Sequence, residues 1–263
     1  MCTLIALHRC APGADLWVAA NRDEFLGRAA EGPALRYVNG EPAVAPLDLE
    51  AGGTWWGVNG RGVFSAVTNR PVSTPDLLRR SRGQLVMDAL GAKSAREAAT
   101  QLAALPERAY NPFNFFVADA RDAFAATYRD ASVVWRLDPG VHVIGNADPR
   151  ETGSGKVRST RDAAVAALEG SRRTHDADLS GALAAICRNH DVSGDRRASV
   201  CVHTGADYGT RSSSLLKLGA APALHHAEGP PCENEYRNLT DLLGELGIGP
   251  ARSEGLTAVR RAS

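Results

Sequence analysis

Over the first seventy positions apolar residues fall in short runs broken by turn signals, the spacing of β-strands rather than helices. Cys2 to His8 and Leu16 to Ala20 are two such runs, separated by Ala11-Pro12-Gly13. Gly52 to Gly57 and Gly62 to Thr68 read as two more, joined through Asn59-Gly60 as a hairpin. The period then changes. Thr74-Pro75 reads as a helix start with proline just inside the cap, and Leu78, Leu85, Val86, Ala89 and Leu90 share one helical face. Ser94-x-x-Glu97 is a capping box that opens a second helix, ended before Pro106.

A second β block follows at Phe113 to Asp119, Ala123 to Arg129, Ser132 to Leu137 and Val141 to Ile144. Helical periods return at Lys156 to Glu169 and Leu179 to His190. Strands are then predicted at Ala198 to Thr204 and Ser212 to Leu218, with a last helix from Glu233 to Leu246. This order predicts an α+β fold in which helices cover sheets, rather than alternating β-α-β units. No repeat or long linker interrupts it, so residues 1–263 read as one domain with a loose tail over 253–263.

Composition narrows the class. Thirty basic and thirty acidic residues cancel, which removes the electrostatic footprint of a nucleic-acid partner or an anionic membrane surface. A 44% hydrophobic and 23% charged chain has the composition of an ordinary globular protein. No apolar run approaches the ~20 residues of a membrane span, and no secretory pattern opens the chain. The expectation is a cytoplasmic protein. Five cysteines (Cys2, Cys10, Cys187, Cys201, Cys232) without a C-x-x-C pair argue against a disulfide framework or zinc finger. His225-His226 with Cys232 has no zinc spacing, so no metal site is predicted. Gly153-Ser154-Gly155-Lys156 misses the phosphate-loop register.

Met1-Cys2 is the first candidate for chemistry. Cysteine at position 2 is small enough to permit methionine removal, which would place a free α-amine and a thiol on one residue. An α-amine with a pKa of about 7.7–8.0 can take the thiol proton near neutrality, and the thiol beside it should be activated. Asn21-Arg22-Asp23-Glu24 follows a strand directly, and a carboxylate there could hold an α-ammonium group. Asn69 and Asn146 each end an apolar strand. Either is an ordinary turn residue when taken alone, yet amide donors at two strand ends can stabilise an oxyanion. The stretch from Cys201 to Ser214 runs through a glycine-rich turn to Arg211 and three serines.

Together, Cys2, Asn21-Arg22-Asp23-Glu24, Gly52-Gly53-Thr54-Trp55-Trp56-Gly57, Thr68-Asn69-Arg70, Ser81-Arg82-Gly83, Tyr110-Asn111-Pro112-Phe113-Asn114 and Tyr208-Gly209-Thr210-Arg211-Ser212 occur in one order. This order resembles the NRDE family, also called transport and Golgi organisation protein two. The resemblance implies a four-layer αββα sandwich of the N-terminal-nucleophile hydrolase type. A more distant similarity is to choloylglycine hydrolases and penicillin V acylases, which begin with the same Met-Cys-Thr. It implies Cys2 as nucleophile, Asp23 beside the amine, Asn69 and Asn146 at the oxyanion, and Arg211 as a late-strand arginine. Those hydrolases carry another arginine three residues before the aspartate, where this chain has Ala20. Here the arginine is Arg22, which on a strand points to the face opposite Asp23.

Two functions stay open at this point. One is a cysteine-nucleophile amidohydrolase or acyl-transfer enzyme without cofactor, acting on a small acylated substrate, with Arg22, Trp55 and Arg70 at the substrate. The other, implied by the family resemblance, is a non-catalytic protein that binds or carries haem, lipid or acyl-CoA. His8 or His203 would then be further cleft candidates.

Overall fold

A computed structural model describes residues 2–150, 155–173, 178–190 and 199–249. Two antiparallel sheets carry the fold. The first orders its strands β10 (Gly140–Ile144), β1 (Thr3–His8), β2 (Ala14–Phe25), β11 (Tyr208–Gly219), β12 (Ala223–Glu228) and β13 (Arg237–Asn238). The second runs in chain order through β3 (Ala30–Val38), β4 (Glu41–Asp48), β5 (Trp56–Asn59), β6 (Phe64–Asn69), β7 (Phe113–Ala118), β8 (Ala123–Tyr128) and β9 (Ser132–Leu137).

Strand alternation assigns the cores. Leu4, Ala6, Leu16 and Val18 meet Trp56, Phe64 and Phe116 of the second sheet in a core between the sheets. Ile5, Leu7, Trp17 and Ala19 point the other way, under α3 (Gly155–Arg173) and α4 (Leu179–Cys187). On the far side of the second sheet, Val67, Phe113 and Phe115 pack under α1 (Arg82–Leu90) and α2 (Ala95–Ala103). The layers are therefore helix, sheet, sheet, helix, the expected αββα sandwich. With Leu16 wholly buried between the sheets, Leu16→Ala would cost about 2–5 kcal/mol.

Several expectations are corrected. Strands β3 and β4 carry no clean apolar alternation and contain Pro33, Pro42 and Pro46, so periodicity alone passes over them. They turn on Asn39-Gly40, with both φ angles positive (52° and 84°). The helix expected from Thr74 begins at Arg82. Leu77 and Leu78 are 92% and 97% exposed, so neither belongs to its buried face. Residues 199–204 form no strand and make one bridge, His203 to Gly209, while position 198 lies outside the described residues. The long last helix contracts to α5 (Asp241–Glu245), and β12 was not foreseen. The tail from 253 and the glycine at 153 also lie outside the described residues. The capping box forms in a variant: Ser94 Oγ accepts from Glu97 N at 3.2 Å, while Glu97 Oε2 accepts from Lys93 N. No helix among the described residues is long and apolar enough to cross a membrane.

Candidate active site

Where β1 begins, both sheets meet a cavity of about 560 Å³ lined by Cys2, Arg22, Trp55, Asn69 and Arg82 among others. Its place follows from register. Thr3 pairs with Asn21 across β1 and β2, so Cys2 stands beside Arg22 at the strand ends. Arg22 continues the even face of β2 that supplies Leu16 and Val18 to the core between the sheets. In place of another apolar contact, its guanidinium stacks 4.2 Å over the Trp55 ring and its Nη2 donates to Asp48 Oδ2 at 3.1 Å. Arg22 Nη1 is buried with no hydrogen-bond partner among the described residues. Asp48 also accepts from Arg28 Nε at 2.7 Å.

Asp23, the next residue, faces the helical layer and is 3% exposed. Its Oδ1 accepts from Thr210 Oγ1 at 2.7 Å, and its Oδ2 lies 3.9 Å from Lys156 Nζ at the start of α3. Burial pushes the Asp23 carboxyl up to about 6, against the pull of Lys156. The same burial lowers the pKa of Lys156, with Asp23 opposing it. Asn21 shares this face and donates to the carbonyls of Cys187 (2.9 Å) and Val200 (3.0 Å), tying β2 to the end of α4.

The Cys2 thiol is enclosed at the start of β1. Burial is the largest influence on Cys2 and pushes its thiol up, with the chain's amino group pulling its pKa down.

The two asparagines take different places. Asn69 ends β6 and lines the cavity, and its side-chain amide makes no hydrogen bond among the described residues. Asn146 does not line the cavity. Its Nδ2 donates to the Asn69 carbonyl at 2.5 Å, so it fixes the backbone that presents Asn69. Thr68 Oγ1 donates to Gly145 O at 2.6 Å, and Asn114 Nδ2 donates to the carbonyls of Gly145 and Ala147, which binds the two strand ends across the sheets.

Arg70 and Arg211 lie outside the cavity. Arg70 Nη1 donates to Thr127 Oγ1 at 2.6 Å and meets Asp148 Oδ2 at 3.3 Å, so its guanidinium holds the 145–148 turn. Arg211 occupies a bulge where β11 shifts register against β2. His8 bonds the Asp119 carbonyl at the other end of β1, and His203 sits in a separate cluster.

Arg82 and Lys156 are the site residues that residue-by-residue reasoning missed. Arg82 opens α1, lines the cavity and donates to the Pro112 carbonyl at 3.2 Å, with no ion pair among the described residues. It stands close enough to Cys2 for the thiol to count among the groups that hold its charge. The motif Ser81-Arg82-Gly83 was its only trace in the sequence. The motif's glycine explains the wall: a Cβ on Gly53 would lie 2.4 Å from the Gly83 carbonyl carbon. The two backbones touch there, and Thr54 N donates to Gly83 O at 3.2 Å.

A family model described as Transport and Golgi organisation 2 matches residues 1–228. The chain belongs to that family. Its relatives there include the Transport and Golgi organization protein 2 homolog of Bos taurus, 29% identical over 230 residues that cover 78% of this chain and 82% of the relative. The Homo sapiens homolog is 28% identical over 232 residues, with the same coverage. Among solved structures, the chain resembles the C2A mutant of conjugated bile acid hydrolase from Clostridium perfringens, with a TM-score of 0.54 at 11% identity, covering 90% of this chain and 96% of that one. It also resembles the Caenorhabditis elegans ortholog of N-acylethanolamine-hydrolyzing acid amidase, with a TM-score of 0.57 at 13% identity, covering 81% and 92%. This member of the family thus has the N-terminal-nucleophile hydrolase fold.

Proposed function

We propose that the chain is a cysteine amidohydrolase or acyl-transfer enzyme, working in the cytoplasm on a small acylated substrate, and that it matures by loss of Met1. The observation that carries this reading is one cavity presenting the Cys2 thiol and the unpartnered Asn69 amide together. The Cys2 sulfur attacks the substrate carbonyl carbon while its own α-amine takes the thiol proton. Asn69 Nδ2 donates to the oxyanion, and Asn146 holds Asn69 in place. The amine returns the proton to the leaving nitrogen as the C–N bond breaks, which leaves a thioester on Cys2. Water then attacks the thioester, giving one proton to the amine, and the sulfur departs to be reprotonated. Asp23 orients the amine from the helical side of β2. Folds of similar shape in a bile acid hydrolase and an acid amidase support the reaction class.

Cavity chemistry narrows the substrate. Among the described residues Arg22 offers a buried Nη1 without a hydrogen-bond partner and Arg82 a guanidinium in no ion pair, while the apolar Phe25 and Leu77 stand at the same lining. An acyl chain carrying an anionic group fits this pairing of charge and apolar surface. The same observation favours the second reading, binding of an anionic amphiphile such as acyl-CoA or haem without turnover. For haem, the two arginines would hold its carboxylates. No histidine among the described residues lines the cavity, so Cys2 is the side chain there able to ligate iron.

Intact mass of the purified chain tests maturation: the hydrolase reading requires a mass lower by one methionine. Incubation with a panel of N-acyl amides should then add an acyl mass to Cys2 and release amine. A processed chain that turns over nothing, and whose Cys2→Ala variant binds acyl-CoA as tightly as wild type, leaves the binding reading standing.

A further inference from the structure

Behind Asp23, on the side away from the cavity, four side chains converge that the reaction does not use. The ligand atoms of His190, Cys201, His203 and Cys232 all lie within 4.8 Å of one another. Cys201 Sγ is 3.6 Å from both Cys232 Sγ and His203 Nε2, and His203 Nε2 is 3.2 Å from Cys232 Sγ. We propose that these four residues form a structural zinc site of the Cys₂His₂ type.

The spacing matches the metal's geometry. With Zn–S of ~2.3 Å and Zn–N of ~2.0–2.1 Å, a tetrahedral site sets its sulfurs ~3.8 Å apart and each sulfur ~3.6 Å from a nitrogen. The two distances of 3.6 Å fall within a few tenths of an ångström of these, and the His203–Cys232 pair at 3.2 Å lies about 0.4 Å inside its value. Donor chemistry points to the same ion. Two sulfurs and two imidazoles suit zinc, whereas calcium or magnesium would call for oxygen ligands. Four protein ligands close the coordination shell, the arrangement of a structural site. Two thiols release their protons to solvent on binding, and the two thiolates neutralise the dication. A second layer is already in place: His190 Nδ1 lies 3.1 Å from the Cys201 carbonyl, which fixes that nitrogen as the donor and leaves Nε2 for the metal.

The position gives the ion a task. None of the four ligands lies in a helix or strand. They come from the end of the α4 connection, the irregular 199–204 segment and the turn before β13, and Cys201 N reaches Asn189 O at 2.9 Å. Zinc would cross-link three segments that little regular structure holds. The middle one supports the catalytic face. Val202 N donates to Thr210 Oγ1, which donates to Asp23, and the Val200 carbonyl receives Asn21. Sequence spacing concealed the site, because its ligands are separated by eleven, two and twenty-nine positions, with no C-x-x-C pair among them.

Metal analysis of the full chain tests the proposal without reference to any activity. The protein is expressed in zinc-supplemented medium, purified without a metal-affinity step and measured by inductively coupled plasma mass spectrometry. The expected result is one zinc per chain, lost in Cys232→Ser, whose position at the surface spares the fold. After chelation, cobalt titration should give the visible bands of a tetrahedral ion and a thiolate charge-transfer band, both weakened in His203→Gln. Circular dichroism confirms that each variant is folded. Wild-type chain that holds no zinc and gives only an octahedral cobalt spectrum overturns the proposal. So does a Cys201–Cys232 disulfide, seen as a mass lower by two hydrogens, in protein taken from a reducing cytosol.

Discussion

Arg22 and Asp23 are neighbours on one strand, yet they work in different compartments. Arg22 faces the second sheet, stacked on Trp55 and open to the cavity. Asp23 faces the helices, enclosed by Thr210 and Lys156. One surface is rich in donors and has room for a ligand. On the other, burial alters proton affinity. The lesson is a division of labour along a pleat: the strand delivers binding and proton control to the same point from opposite sides. A strand that kept its arginine three residues before the aspartate would set it one pleat further along.

The sharpest way to break the comparison is to remove the nucleophile between the two faces. Cys2→Ala should lower turnover by on the order of 10⁴–10⁶-fold and leave ligand affinity near wild type, measured by steady-state kinetics beside calorimetric titration. Equal losses in both would place Cys2 in binding alone. Next comes the oxyanion donor on the cavity side. Asn69→Ala should reduce kcat by about 10²–10³-fold with little change in KM. A change confined to KM would mean that Asn69 only holds substrate.

The helical face should reveal itself in stability rather than in affinity. Burial raises the Asp23 pKa from its ordinary 3.8 to about 6, so between these values the folded chain keeps a proton that the unfolded chain has lost. This contribution to stability is fully present below pH 4, falls as pH rises through about 6 and then levels off, a change of about 3 kcal/mol. Urea denaturation across pH 4–7 should show the slope, and Asp23→Asn should flatten it. An unchanged slope in the variant would assign it to other groups.

Two smaller effects separate the faces further. Arg82→Ala should raise KM about tenfold for anionic acyl substrates while sparing neutral ones and kcat. Lys156→Met, on the other side, should leave KM alone and move the acidic limb of the kcat/KM profile upward from pH 6, because it removes the cation that favours ionised Asp23. A Lys156→Met variant with an altered KM and an unmoved limb would contradict the division between the faces.

The chain order disclosed some of this geometry and hid the rest. Strands β7 and β8 were legible because burial on both faces leaves unbroken apolar runs, and the turn between them is short. The hairpin of β3 and β4 was not, since prolines and charges obscure its alternation. Thr74-Pro75 has the local chemistry of a helix start, but the chain turns there through Asp76, whose backbone N–H is held by Asn111. Cys2 was singled out by its place behind Met1, and Asp23 and Asn69 as polar residues at strand ends. Lys156 was not. It resembles the end of a broken phosphate loop, and only the packing of α3 onto the first sheet brings its amine to Asp23. The cluster of His190, Cys201, His203 and Cys232 was hidden in the same way.

The contact between Gly53 and Gly83 has a consequence for how this cavity can diverge. With a Cβ on Gly53 set 2.4 Å from the Gly83 carbonyl carbon and one on Gly83 3.1 Å from Thr54 N and O, the two segments cannot come closer to each other, and a side chain on Gly53 would part the wall. Drift in substrate preference must therefore proceed by exchanging the side chains the wall carries. Trp55 and Arg82, each a residue or two from the crossing, are the exchangeable teeth on a fixed jaw. A lineage adapting to a neutral substrate would be expected to replace Arg82 long before it altered either glycine.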